Sequence, residues 1–480
     1  MTPRASDGPA TASAWNPRLA LLVAATYFME FLDGTALATA LPAIGSDFGV
    51  APADVNITMT AYLITVAMGI PVSSWLAERF GARRVFMAAI LVFTLASLAC
   101  ALSPGLAALT VFRAVQGFGG AMMVPVGSLV VLRGTPKEEL LRATAFLVWP
   151  GLLAPVLAPL VGGALTQFLS WHWIFLVNLP LGAAALVAAA RLVPSGGADP
   201  GRRLDWPGLG LTTLGVAGAV VGLELLGHSG GDSTWGVAVL AAGAAALAGA
   251  VSWMRRAQHP LFDFRVLGVR TFRANQTGGF IYRLTISAVP FMLPLMLQDG
   301  FGWDPVHAGI MVAAVFVGNI GIKPATTPLI RRLGFKPVLV SAASASAAIF
   351  AVCALATPEW PDAVLFGVLI LSGVFRSIGF SAYMTLQYAD VGADQLPSAN
   401  AISNTFVQLG NALGVAVGAL LIRLAGSAMH DGGLIASGDP AAAAAPYRVA
   451  FAAIAVLMLI SVADSALLPR RAGTRVSGRG

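Results

Sequence analysis

The feature that most constrains this chain is a series of long apolar windows. A helix that crosses a membrane needs about 20 mostly apolar residues. Fourteen windows of that kind run along the sequence: residues 19–41, 55–77, 85–102, 106–132, 141–168, 171–190, 206–227, 235–254, 274–298, 306–330, 338–356, 363–389, 398–422 and 447–468. Windows of this length are too long for membrane strands, and a lipid-embedded backbone must satisfy its own hydrogen bonds, so each reads as a helix. The 480 residues are 57% hydrophobic and 11% charged, whereas soluble domains carry about 25% charged residues. The expected fold is therefore an all-α membrane protein. The first window is longer than the apolar core of a signal peptide and reads as an uncleaved span.

The net charge of +7 would suggest nucleic acid in a soluble protein, but here it follows topology. Basic residues fall in alternate connections: Arg79, Arg83 and Arg84; Arg133, Lys137 and Arg142; Arg191, Arg202 and Arg203; Arg255 through Arg273; Arg331, Arg332 and Lys336. The intervening connections hold Asp47, Asp54, Asp232, Asp299, Asp304, Glu359 and Asp362. Positive loops face the cytoplasm, which places both termini there. One connection departs from the pattern: residues 390–397 hold Asp390 and Asp394 and no base.

Two stretches echo across the chain. "LAERFGARRV" (residues 76–85) follows the second window and "LIRRLGFKPV" (329–338) the tenth, with Leu76, Arg79, Gly81 and Val85 matching Leu329, Arg332, Gly334 and Val338. "APLVGGAL" (158–165) in the fifth window is echoed by "GVAVGALL" (414–421) in the thirteenth. Six spans, two inserted spans and six more spans satisfy both. Repeated halves about a central cavity are a common plan of secondary transporters.

Ionisable residues inside a span cost about 2.5–3.5 kcal/mol each even on the lenient insertion scale, and they usually pair or line a water-filled path. Those present are Glu30, Asp33, Arg113, Glu224, Arg283, Lys323, Arg376 and Asp464. Glu30 and Asp33 share a helix face; Asp33 reads as a proton-loading carboxylate or as half of a static ion pair with Arg113, and Glu30 as an acid that shares the proton or reads substrate charge, or as a snorkelling or cavity-rim acid. Arg283, Lys323 and Arg376 either line an anion-accepting cavity or reach an interface from helix ends. Cys100 and Cys353 are far apart and read as lipid-facing or packing residues, and the five histidines are scattered, so neither a disulfide framework nor a metal site is expected. "GFGGAM" lies inside a span without a preceding strand, and no Gly-Lys-Ser/Thr phosphate loop occurs, so a dinucleotide site and ATP hydrolysis by that route are excluded.

Several motifs together carry a resemblance: "LDGTALATALPAI" (32–44), "SSWLAERFGARR" (73–84), "RAVQGFGGAMMVPVG" (113–127), "APLVGG" (158–163), "SWHWIFLVNLPLG" (170–182) and "LDWPG" (204–208). The set resembles the major facilitator superfamily, and within it the fourteen-span drug:proton antiporter branch, most like the bacterial MdtD-type multidrug transporters. The resemblance implies a major facilitator fold of two six-helix bundles plus two inserted linking helices. Its parts would be a cytoplasmic tail 1–18, bundle 19–190, linker and inserted helices 191–254, basic loop 255–273, bundle 274–468 and cytoplasmic tail 469–480.

It also implies a proton-coupled antiporter that exports amphipathic drug-like compounds by alternating access. The rival is an exporter of small organic anions such as metal-chelating carboxylates, favoured by the excess of intramembrane cations. Candidate proton-coupling residues are Asp33, Arg113 and Glu30, the role of Arg113 being implied by the fourth-span motif. Candidate cavity residues are Glu30, Gln116, Arg283, Arg376 and Lys323. Glu78, Arg79, Gly81, Arg83 and Arg84 form a candidate gating loop, and Pro155, Ala158, Pro159, Gly162 and Gly163 an antiporter helix. The expected partners are a small-molecule substrate, protons and membrane lipid, without nucleic acid or cofactor. The protein is expected to be a monomer in a bacterial cytoplasmic membrane and not an enzyme.

Overall fold

Each apolar window becomes helical, most of them as one long helix. The computed structural model describes residues 16–50, 52–196, 198–201, 203–227, 233–258, 260–431, 443–469 and 471–477. In chain order the long helices are α1 (Pro17–Ala36), α2 (Pro52–Phe80), α3 (Ala82–Ala101), α4 (Leu106–Arg133), α5 (Leu140–Phe168), α6 (Asn178–Leu192), α7 (Trp206–Gly227) and α8 (Ser233–Met254). The second set is α9 (Gly278–Leu295), the bent pair α10 (Pro305–Gly321 and Lys323–Leu333), α11 (Phe335–Leu355), α12 (Asp362–Ala389), α13 (Leu396–Asp431) and α14 (Ala445–Ala466). By length and apolarity 11 helices can cross a membrane, or 12 with the bent pair taken as one span. Helices α5 and α7, of 29 and 22 residues, complete the fourteen.

Local signals set several ends. Asn16 caps α1 by accepting from the amides of Arg18 and Leu19, and Pro17 fits the first helical turn. Some spans are less regular than their hydropathy. After Ala36, α1 tightens into a 3-10 turn (Leu37–Ala40) and resumes as Leu41–Phe48. The α10 pair bends by 52° between Gly321 and Lys323, where Pro324 removes a backbone donor. Helix α13 runs nine residues past the end of its window at 422, to Asp431. The apolar window stops before Arg423, whose exposed side chain donates through Nη1 to the Leu226 carbonyl of α7 (3.3 Å).

The repeat read in the sequence is also a repeat of packing. In the first half α1 packs on α5 and α6, α4 on α2 and α3, and α3 on α6. In the second half α9 packs on α13 and α14, α12 on α10 and α11, and α11 on α14. The halves meet through α2 and α4 against α13, and through α10 and α12 against α5. The inserted α7–α8 hairpin lies against α2 and α13, one helix from each half. The "LDWPG" stretch anchors it: Asp205 accepts from the Gly208 amide (2.9 Å), the Trp253 indole (2.8 Å) and the Leu261 amide (3.2 Å). Both echoed turns use glycine in the same way. Gly81 (φ 88°) and Gly334 (φ 86°) precede α3 and α11 in a conformation that L side chains rarely adopt.

Helices in lipid gain little from the hydrophobic effect and rely on close approach of small residues. A Cβ on Gly117 of α4 would sit 2.6 Å from the Tyr62 carbonyl of α2, and Gly373 of α12 likewise abuts the Val315 carbonyl of α10. Overpacking of this kind costs about 1–3 kcal/mol. Gly373→Val is therefore expected to lower the melting temperature in detergent by several degrees. Gly367→Val on the same helix, with nothing within 4 Å of the added Cβ, should leave it nearly unchanged. Equal melting curves for the two variants would contradict this packing.

The halves are hydrogen-bonded at the end of the bundle that carries the basic loops. Asn400 Nδ2 donates to the Pro125 carbonyl (2.8 Å) and Ser128 Oγ lies 2.8 Å from Asn400 Oδ1. Ser74 Oγ donates to the Pro397 carbonyl (3.1 Å), and the Thr144 and Thr385 hydroxyls are 2.7 Å apart. Lys137 Nζ donates to the carbonyls of Ala389 and Val391. That contact brings a positive charge from the other half to the start of the base-free connection 390–397.

Candidate functional site

Helical geometry divides α1 into two faces. Tyr27 and Phe31, four residues apart, share the face toward the cavity between the halves. Glu30 and Asp33, three apart, share the other, toward α2, α4 and α6. Asp33 is 2% exposed and accepts from three donors. Arg113 Nη1 approaches Oδ2 at 2.5 Å, while Gln116 Nε2 and Asn178 Nδ2 approach Oδ1 at 3.0 and 2.8 Å. Ser97 Oγ accepts from the same two amides, at 2.6 and 3.1 Å.

Arg113 is fully buried and has contacts besides the carboxylate. Its Nη1 also donates to Gln116 Oε1 (2.7 Å), and its guanidinium carbon lies 4.1 Å from the Tyr62 ring centroid and 5.8 Å from that of Phe175. A cation over an aromatic face is stabilised by the ring quadrupole. The charge therefore keeps favourable neighbours when the carboxylate is neutralised. Removing one partner of a buried ion pair outright costs about 3–5 kcal/mol. Parting the two side chains would strand a buried charge unless the carboxylate were neutral. A switchable ion pair of this kind can link a proton to a helix movement.

Glu30, expected in both the proton site and the cavity wall, stands outside the wall. It is 6% exposed, with Tyr62 donating to Oε1 at 3.5 Å and Oε2 without a partner among the described residues. Gly120 makes room for it, since a Cβ there would lie 3.3 Å from Glu30 Cγ. Gln116, also expected to line the cavity, belongs to the Asp33 network instead. The reason is rotational: the 3.6-residue repeat puts Glu30 and Asp33 on the face opposite Phe31.

The central cavity, about 210 Å³, is lined by both halves. Arg283 and Arg376 stand in its wall, together with Asn319, Asn404, Asn411 and Phe380. Lys323 does not reach it. It is 6% exposed, beside the α10 bend, and donates to Ser381 Oγ at 2.6 Å. Neither Lys323 nor Arg376 reaches an interface from a helix end. Asp464 is structural: it accepts from the Gly278 amide (3.2 Å) and the Thr277 hydroxyl (3.1 Å) at the start of α9. The Glu224 side chain lies outside the described residues.

In the basic turn, Glu78 accepts through its carbonyl from the Asp199 amide (2.7 Å), and Arg83 donates to the Ala190 carbonyl and to Ser195 Oγ. Arg84 is exposed, and Arg79 also interacts with the protein. In α5, Ala158 is fully buried, and a Cβ on Gly162 would lie 2.6 Å from the Ala36 carbonyl, where α1 passes into its 3-10 turn. Gly163 has open space beside it, and the side chains of Pro155 and Pro159 lie outside the described residues. Cys100 and Cys353 are both buried, and neither faces lipid. Asn178, Ser97 and Tyr62 are the site residues that the sequence reading missed. Asn178, a lone amide in the apolar run "IFLVNLPLG", is the one with a visible signal.

Comparison with known proteins agrees with this architecture. The model of the Major Facilitator Superfamily matches residues 23–269 and 277–479. A Serratia proteamaculans protein named MdtD and assigned to multidrug resistance is 38% identical over 406 residues, 84% of each chain. The Cronobacter sakazakii protein of the same name is 37% identical over 405 residues, 84% of this chain and 85% of its own. Among solved structures, the human organic anion transporter MFSD10 superposes with a TM-score of 0.65 at 14% identity, covering 94% of this chain and 99% of its own. A bacterial homologue of the iron transporter ferroportin gives 0.62 at 14% identity, covering 93% and 99%. With its fourteen spans, its repeated halves and these relatives, the chain belongs to the major facilitator superfamily, as a multi-pass membrane transporter of the MdtD-related kind.

Proposed function

We propose that the protein is a proton-coupled antiporter that exports amphipathic drug-like or toxic organic compounds. The observation that carries this reading is the buried Asp33–Arg113 pair, set beside a cavity shared by two repeated bundles. Residues 19–190 and 274–468 rock as two bodies, with 191–254 supplying the inserted hairpin and 255–273 a basic loop. The basic end faces the cytoplasm by the positive-inside rule, so both tails, 1–18 and 469–480, are cytoplasmic. The protein works as a monomer in the bacterial cytoplasmic membrane, on a small-molecule substrate, with protons as the coupling ion. Its MdtD-named relatives, assigned to multidrug resistance, support export of drug-like compounds.

In the cycle, α1 and α4 hold the ion pair while the basic end is latched. Protonation of Asp33 frees Arg113 to rest on Tyr62, Phe175 and Gln116, and α1 shifts at its 3-10 turn beside Gly162 of α5. Deprotonation toward the cytoplasm resets the pair. Proteoliposomes carrying an imposed proton gradient test the reading. Gradient-driven movement of amphipathic probes, abolished by a protonophore, is expected; movement insensitive to the gradient would contradict it.

A further inference from the structure

We propose that the second half of the cavity carries an anion-binding subsite, formed by Arg283 and Arg376, that selects amphipathic organic anions. The proposal deepens the export reading by naming a substrate class for the same cavity.

It starts from the repeat. The echoed turns after α2 and α10 are offset by 253 residues, but the echo of "APLVGGAL" in "GVAVGALL" matches Ala158 of α5 to Gly414 of α13 at 256, the offset that also relates the starts of α4 (Leu106) and α12 (Asp362). The same offset pairs cavity-wall residues with one another: Tyr27 with Arg283, Phe31 with Ser287, Val124 with Phe380 and Ser128 with Met384. Side-chain contacts follow the pairing too. Tyr27 donates to the Val124 carbonyl (2.6 Å), and the Arg283 guanidinium carbon lies 5.6 Å from the Phe380 ring centroid, with Nη2 3.6 Å from Met384 Sδ. The cavity is therefore a two-fold frame whose halves differ in chemistry.

That difference is one of charge. Glu30 and Gly120 in the first half pair with Ile286 and Arg376 in the second, and Asp33 and Arg113 with Val289 and Leu369. The acid-and-base network of the first half is thus not repeated at the matching positions, and among the described residues the second half's share of the cavity wall carries the cations Arg283 and Arg376 without an acid. Arg283 is 2% exposed, and its Nε and Nη1 have no hydrogen-bond partner among the described residues. Nη1 of Arg376 has none either. Among the described residues no Asp or Glu lines the cavity, and neither cation has an acidic partner.

A thioether is a weak acceptor and does not neutralise a guanidinium. Buried charges are ordinarily paired, and the planar fork of arginine matches a carboxylate or sulfonate. Phe31, Ile286 and Phe380 in the same wall suit an apolar or aromatic body. Together these fit an organic anion with a hydrophobic portion. The structural repeat separates the proton-carrying half from the substrate-charge-reading half.

Calorimetry on the purified full chain, with 2-naphthoate, 2-naphthamide and a 2-naphthylmethyl trimethylammonium salt as probes, tests this without any proton gradient. The naphthoate is expected to bind at least about tenfold more tightly than the amide, with the ammonium weakest. Arg283→Gln and Arg376→Gln should each reduce that preference, while Arg283→Lys, which keeps the charge, should retain part of it; monodisperse elution of each variant checks that it is folded. Undetectable naphthoate binding at about 1 mM, tighter binding of the ammonium salt, displacement by chloride as effective as by the amide, or an unchanged preference in both glutamine variants would overturn the proposal. Failure of gradient-driven transport with this preference intact would count against proton-coupled export alone.

Discussion

Asp33→Asn is expected to abolish gradient-driven transport while leaving substrate exchange across proteoliposomes measurable. The asparagine keeps the shape and can still accept from Gln116 and Asn178, but it cannot exchange a proton. The loss should reach about 100-fold or more, the scale on which removal of a positioned proton-transfer group acts. Arg113→Leu should be harsher on folding, because it strands the Asp33 carboxylate in a site 2% exposed. A purely structural pair would show the reverse signature: Asp33→Asn would lower the melting temperature and leave gradient-driven rates near wild type. Glu30→Gln separates the two acids. If Asp33 alone carries the proton, this variant still responds to the gradient, and Tyr62 keeps an acceptor at Oε1.

The second large effect is expected at the latch. Asn400→Leu removes the donor to the Pro125 carbonyl and the partner of Ser128, two hydrogen bonds between the halves, and leaves Ser128 bonded to Pro125 within its own helix. Such a loss is worth about 1–3 kcal/mol, which shifts a two-state equilibrium by roughly 5- to 150-fold. The latch closes the basic end, so its loss favours opening there. The readout is maleimide labelling of Leu132→Cys, a cavity residue next to the latch, in a background with Cys100 and Cys353 replaced. Labelling from the basic side should accelerate by about tenfold or more. An unchanged rate would mean that the remaining contacts, such as Ser74 to Pro397 and Lys137 to Ala389, hold the end shut without Asn400.

How much of this could be read in advance depends on what each residue costs in lipid. The fourteen helices and the repeated halves were legible because apolar length and glycine-bearing turns leave strong linear signals. Asp33 and Arg113 were legible because a charge in an apolar window demands an explanation. Ser97 and Tyr62 were not, since such residues occur in spans without signalling a site. The latch residue Asn400 sits one turn into α13, where a polar residue reads as helix-end decoration.

Direction was the other hidden quantity. The i,i+3 spacing of Glu30 and Asp33 established a shared face but not which neighbours that face meets, and packing turned it toward α4 and α6 rather than the cavity. The bend before Pro324 was hidden for a related reason. Pro71 occupies the matching place in α2, yet lies within an unbroken helix, so the residue alone does not determine the break. Lys323, which reads as a helix-end cation, becomes buried through that bend.

The central claim is that Asp33 carries the exchanged proton. The most direct test is proton release from weakly buffered purified protein on addition of the anionic, neutral and cationic naphthalene probes, with wild type beside Asp33→Asn. At least one probe should release protons from the wild-type protein in proportion to binding, and none should do so from Asp33→Asn. Equal release from both proteins would contradict the account.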